Sequence, residues 1–197
     1  MQKFINMKYI KTYKIFESTE AFEPGVDLEY IDLFLEDIAD KGYTINQYFG
    51  FKDRADDKVS IVDRRYIDNL ISDSSIRVHR NVEIYQDYLN GDMSYIIKIY
   101  SYMEEKGYTD DFPFGEITYS DIYGPLKQLI GYMSEERGLS YYKIFATTDA
   151  HRDNVAAPWD YTFREFSNIE DVKDVKIIGA LSLHISKNKE FLPKTKI

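Results

Sequence analysis

The chain contains no cysteine, which excludes disulfide bonds, thiolate metal sites and cysteine nucleophiles. Histidine occurs only as His79, His151 and His184, so imidazole chemistry has few places to reside. No apolar run approaches the roughly 18 residues that a membrane-spanning helix needs. Lysines also interrupt the N-terminal region too often for a secretory signal, and synthesis in the cytoplasm is the expectation. The serine-nucleophile motif Gly-x-Ser-x-Gly is missing, as are the phosphate loops Gly-x-Gly-x-x-Gly and Gly-x-x-x-x-Gly-Lys. Positive charge is the scarcer sign, with 25 Lys and Arg against 34 Asp and Glu. That balance argues against broad binding to nucleic-acid phosphates, which needs clustered cations.

What is present is an ordinary globular composition, 44% hydrophobic and 30% charged, on a length of 197 residues that suits one domain. Charge is unevenly placed. Residues 1–17 hold Lys3, Lys8, Lys11 and Lys14 against Glu17 alone, giving +3, whereas residues 18–197 sum to −12. The chain therefore reads as a basic leader, 1–17, followed by an acidic domain, 18–197, with the Asp110, Asp111, Pro113 and Gly115 cluster marking an internal boundary near 108–118. On a helix the leader would gather Ile5, Tyr9, Tyr13 and Phe16 into one stripe, with Lys3, Lys11 and Lys14 opposite, a form suited to docking in a groove. The other reading makes residues 1–17 an amphipathic first element packed on the domain, with Tyr9, Tyr13 and Phe16 buried. Met7 is an alternative start to Met1.

Periodicity predicts three helices. Asp27 caps the first, whose Leu28, Ile31, Phe34, Leu35 and Ile38 share a face and which stops at Gly42. The second spans about Met93 to Lys106 through Ile96, Ile97, Tyr100 and Met103. The third starts near Gly124-Pro125, buries Leu126, Leu129, Ile130 and Met133, and ends at Gly138. Strands are expected over Tyr43–Phe51, where Gln47 interrupts the apolar alternation, over Tyr142–Ala146, and over Val175–Ile185 through Gly179. Shorter strand candidates are Val59–Val62, Ile76–Val78, Val82–Ile84 and Tyr161–Phe163. Residues 18–26 and 187–197 read as linker and tail. The expected fold is α+β, a single domain with an antiparallel or mixed sheet and about three covering helices.

The most polar constellation is Thr148-Asp149-Ala150-His151-Arg152-Asp153-Asn154, expected as a loop. Asp149, His151 and Asp153 alternate there, and carboxylates with an imidazole suit a divalent metal or acid/base chemistry. Turn and capping roles account for the same residues. Their spacing matches no established metal motif, so no cofactor is expected, and catalytic residues beyond these three candidates are not indicated. His184 falls on the strand face opposite the apolar one, as a solvent-facing or hydrogen-bonded sheet histidine. His79 sits in the basic island Arg77-Val78-His79-Arg80.

Met7-Lys8-Tyr9-Ile10-Lys11-Thr12-Tyr13-Lys14-Ile15-Phe16-Glu17-Ser18 resembles the head-targeting leader of internal capsid proteins in T-even-type tailed bacteriophages. In that family the leader directs a protein into the prohead, and the prohead protease cuts after Leu or Ile, any residue, then Glu. The resemblance implies scission between Glu17 and Ser18 of the Ile15-Phe16-Glu17-Ser18 segment. Chance would supply about two such tripeptides in this composition; one is present, at the leader's end. The acidic body departs from the basic, helical internal proteins, so DNA condensation does not follow from the resemblance. The implied partners are phage head proteins, and the implied place is the infected bacterial cell's cytoplasm or the virion head. Two alternatives accompany this expectation: a non-virion phage protein that binds and inhibits a host protein, and a metal-dependent enzyme using the 149–153 loop.

Overall fold

A computed structural model describes residues 24–52, 59–73, 80–90, 92–101, 115–151 and 160–192. Its centre is a six-stranded antiparallel sheet in the order β2-β1-β3-β8-β5-β6, formed by β1 (Thr44–Lys52), β2 (Val59–Asp63), β3 (Met93–Tyr100), β5 (Tyr141–His151), β6 (Asp160–Phe166) and β8 (Ala180–Ser186). A separate two-stranded ladder pairs β4 (Glu116–Ile117) with β7 (Ile177–Ile178). Among the described residues four helices accompany the strands: α1 (Pro24–Ala39), α2 (Arg64–Ser72), α3 (Arg80–Asn90) and α4 (Tyr119–Arg137). The protein is an α+β body, as the alternation of strand and helix periods indicates.

The core lies between the helices and one face of the sheet. Period-two alternation sends Phe49 and Phe51 of β1, Tyr95, Ile97 and Ile99 of β3, Leu181, Leu183 and Ile185 of β8 and Ile144 of β5 to that face, all at most 3% exposed. α1 meets them with Leu28, Ile31, Leu35 and Ile38, spaced for one helix stripe, and leaves Glu29, Glu36 and Asp37 outward. α4 packs beside it with Ile122, Leu126, Leu129 and Met133, and Tyr30 and Tyr132 join the two helices at 4.6 Å between ring centroids.

Element boundaries differ from the sequence reading in ways that have causes. α1 begins at Pro24, not Asp27: proline at the first helical position lacks an N–H that would have no partner there. α4 begins at Tyr119, so Pro125 lies inside the helix. Its start is pinned because the Tyr43 hydroxyl donates to Asp121 Oδ2 at 3.0 Å and accepts from the Thr118 N–H at 3.1 Å. The expected second helix is instead β3. Ser94-Tyr95-Ile96-Ile97-Lys98-Ile99-Tyr100 is dominated by β-branched and aromatic side chains, and both its faces are largely covered, so the helical spacing of Ile96, Ile97 and Tyr100 is coincidental. Val82–Ile84, expected as a strand, belongs to α3, whose buried Ile84, Asp87 and Tyr88 follow helical spacing. Gly179, at φ +78°, splits the long late strand into β7 and β8. The expected tail is ordered through Leu192, which is buried behind a 3-10 turn, Lys189–Phe191. The Ile76–Val78 candidate, most of the 108–118 segment and the whole 1–17 leader lie outside the described residues.

Candidate functional site

The sheet face turned away from the helices is not a conventional polar exterior. Ile96 and Phe145 project from it and are each 3% exposed, yet neither belongs to the main core. With Tyr48, Tyr100, Tyr161 and Phe163 they line a cavity of about 670 Å³. Its rim is open at the two edge strands, where Ile61 on β2 and Phe163 on β6 are 61% and 46% exposed. Concave, mostly apolar spaces of this size with a few polar groups are the usual form of small-molecule sites.

The polar groups come from the middle strands. Lys98 on β3 stands between Asn46 on β1 and Ser182 on β8 in the ladder register. Its Nζ lies 5.4 Å from the centre of the Tyr48 ring, and among the described residues it has no carboxylate partner. His184, two residues beyond Ser182 and hence on the same face, has its Nε2 2.8 Å from Ser182 Oγ. Its ring meets Phe145 edge-on, with centroids 5.2 Å apart. Burial, and then the Lys98 charge, push the imidazole down to about 4, so it is uncharged at neutral pH.

The other charges on this face are already compensated. Lys143 Nζ is 2.7 Å from Glu165 Oε1, across the β5–β6 boundary. Asp63, opposite Tyr48 in register, caps α2 and accepts from the Arg65 backbone and side-chain nitrogens, each at 2.9 Å. Among the described residues that line the cavity, Lys98 is the one lysine or arginine.

A serine beside a histidine raises the question of acyl transfer, and the surroundings answer against it. Among the described residues no carboxylate orients or charges the imidazole, whose affinity for protons is lowered rather than raised. β8 lies between β3 and β5, so its backbone is paired on both sides and offers no pair of free amides for an oxyanion. The arrangement can hold a ligand; among the described residues the serine–histidine pair has no third group that would complete a triad.

The residues favoured by sequence lie elsewhere. The expected loop at 148–154 begins as strand: β5 continues through His151, with a register shift between Thr147 and Asp149, because β6 pairs with it as far as Asp160. Asp149 is exposed beyond that shift, opposite Thr162. The His151 side chain and Asp153 lie outside what the structure describes, and among the described residues no three metal-ligating side chains come together. The stripe residues Ile5, Tyr9, Tyr13 and Phe16, the Ile15–Ser18 segment and His79 are likewise outside the described residues.

Lys98 and Ser182 carry no clear sequence signal, for different reasons. A helical reading of 93–106 gave Lys98 no particular neighbours, whereas strand alternation sets it on one face with Ile96 and Tyr100. Ser182 precedes a histidine by two positions on a strand, a signal visible only once the far face is known to be enclosed. Comparison with protein-family models, with curated proteins and with solved structures finds no match.

Proposed function

We propose that this chain is a binding protein that takes a small, largely apolar molecule on the open face of its sheet. The carrying observation is the apolar cavity beside Ile96 and Phe145, two buried side chains that the main core does not account for. Burying ring surface there stabilises a complex by roughly 25 cal/mol per Å². The test is a titration with the uncharged fluorescent probe N-phenyl-1-naphthylamine. Saturable binding, weakened by Ile61→Ser and Phe163→Ser at the rim without loss of stability, supports the reading. Absence of saturable binding removes it.

Where such a protein acts is a separate proposal, favoured by the position of Ile15-Phe16-Glu17 at the end of the basic segment. In this reading the chain is phage-encoded, enters the prohead through residues 1–17 and is released as residues 18–197. Mass spectrometry of purified virions then finds a mature N-terminus at Ser18. Full-length protein in the virion, or its absence from virions, contradicts that route. Absence from virions together with specific capture of a host protein would transfer support to the host-inhibitor alternative. Among the described residues, no helix is long and apolar enough to cross a membrane.

A further inference from the structure

We infer that the ligand of the open sheet face is an aromatic anion, with its rings between the cavity's aromatic side chains and its acid group on the Lys98 ammonium and the neighbouring Ser182 hydroxyl. This rests on the binding reading above and specifies its ligand.

Three observations converge on that chemistry. The first is shape and surface: five rings, Tyr48, Tyr100, Phe145, Tyr161 and Phe163, face the cavity. Ring pairs gain from edge-on and offset contacts that a saturated chain cannot make. The second is charge. The chain as a whole carries −9, yet the cavity floor presents a cation with no carboxylate among the described residues. The neighbouring Glu165 is matched by Lys143 and Asp63 is held by Arg65, so neither carboxylate competes for Lys98. An ammonium with no counter-ion among the described residues gains a charge-assisted hydrogen bond from a ligand acid.

The third observation is the hydrogen-bonding set around the cation. Lys98 is flanked in register by Ser182 on one side and Asn46 on the other. Of these, Ser182 lines the cavity, and its hydroxyl supplies an O–H to an acid oxygen when the His184 Nε2–H is the donor in their contact. His184 adds no carboxylate repulsion and, uncharged, no competing cation. An uncharged ligand of the same shape would leave Lys98 where it is, over the Tyr48 ring, and gain nothing from it.

A matched pair of probes tests the inference. 1-Anilinonaphthalene-8-sulfonate has the ring body of N-phenyl-1-naphthylamine with one sulfonate added. The wild-type chain is expected to bind the sulfonate about tenfold tighter than the neutral probe, the scale of a single charge-assisted contact. Lys98→Met removes that preference, and Lys98→Arg retains most of it. Raising salt from about 0.02 M to about 0.5 M weakens the sulfonate alone, a readout that needs no variant. If the neutral probe binds but the sulfonate binds no better, or salt and Lys98→Met affect both alike, the aromatic-anion assignment is wrong while the cavity remains a binding site. If neither probe binds, the cavity reading itself fails.

Discussion

Ser182 Oγ and His184 Nε2 lie 2.8 Å apart on one face of the strand next to the sheet centre, and the contact fixes the imidazole within a largely apolar cavity. Which of the two donates depends on the tautomer. Burial of the imidazole has a consequence for stability, because it lowers His184 to about 4 from its ordinary 6.5, with Lys98 adding to the shift. Between those two values the unfolded chain binds a proton at this site and the folded chain does not. The contribution is therefore complete above about pH 6.5 and is lost as pH falls toward 4, by roughly 2 kcal/mol after discounting for partial exposure. Denaturant unfolding of the wild type and of His184→Gln at both ends of that range checks this. The wild type should lose more stability on acidification than the variant; equal losses would show that the imidazole does not carry the effect.

A second polar device lies on the covered face. The fully buried Tyr95 hydroxyl donates to Gln47 Oε1, which also accepts from Arg64 Nη1 at 3.0 Å, while Gln47 Nε2 donates to Asp32 Oδ1 at 2.9 Å. Arg64 grips both Asp32 oxygens and so ties α1 to α2 above the sheet. Burial holds the Tyr95 phenol well above its ordinary range, so it remains a donor at any working pH. Gln47→Leu strands that donor and is expected to cost about 1–3 kcal/mol. Adding Tyr95→Phe should recover part of the loss in a double-mutant cycle. Strict additivity of the two changes would mean that the pair is not coupled.

Much of this architecture is legible in the order of residues. Leu28, Ile31, Leu35 and Ile38 announce α1, Gly42 and Gly138 mark the ends of α1 and α4 with φ values of +87° and +66°, and Phe49, Phe51, Leu181 and Leu183 alternate as core strands. Gln47 looked like an interruption because its partners, Tyr95, Arg64 and Asp32, are remote in sequence. Met93–Tyr100 misled because a strand buried on both faces has no polar alternation, and its apolar run then fits a helix as well. The site was hidden for the same reason: reading Lys98 as helical removes the face it shares with Tyr48, Ser182 and His184. No local motif marks a cavity whose walls come from all six strands of the sheet.

The two sheet faces should respond differently to truncation. Leu183, with no exposed surface, packs against the helices, and Leu183→Ala is expected to cost about 2–5 kcal/mol. Phe163→Ser at the cavity rim should change stability by less than about 1 kcal/mol while weakening the apolar probe. Thermal unfolding and probe titration of both variants decide the matter; a Phe163→Ser chain as unstable as Leu183→Ala would place that ring in the core.

Closure of α4 offers a simpler check. Gly138 sits in the left-handed region, and its N–H and that of Leu139 both reach the Met133 carbonyl. A Cβ there meets nothing within 4 Å, so Gly138→Ala tests backbone conformation alone. A loss of about 1 kcal/mol in denaturant unfolding is expected; a neutral or stabilising result would contradict the left-handed closure.

The most direct measurement is an amide chemical-shift map of the isotopically labelled chain titrated with 1-anilinonaphthalene-8-sulfonate. Perturbations are expected around Tyr48, Ile96, Lys98, Phe145, Ser182 and His184, with α1 and α4 silent. Shifts centred on the helical side, or no saturable shifts at all, would contradict the claim that the open sheet face is where this protein binds.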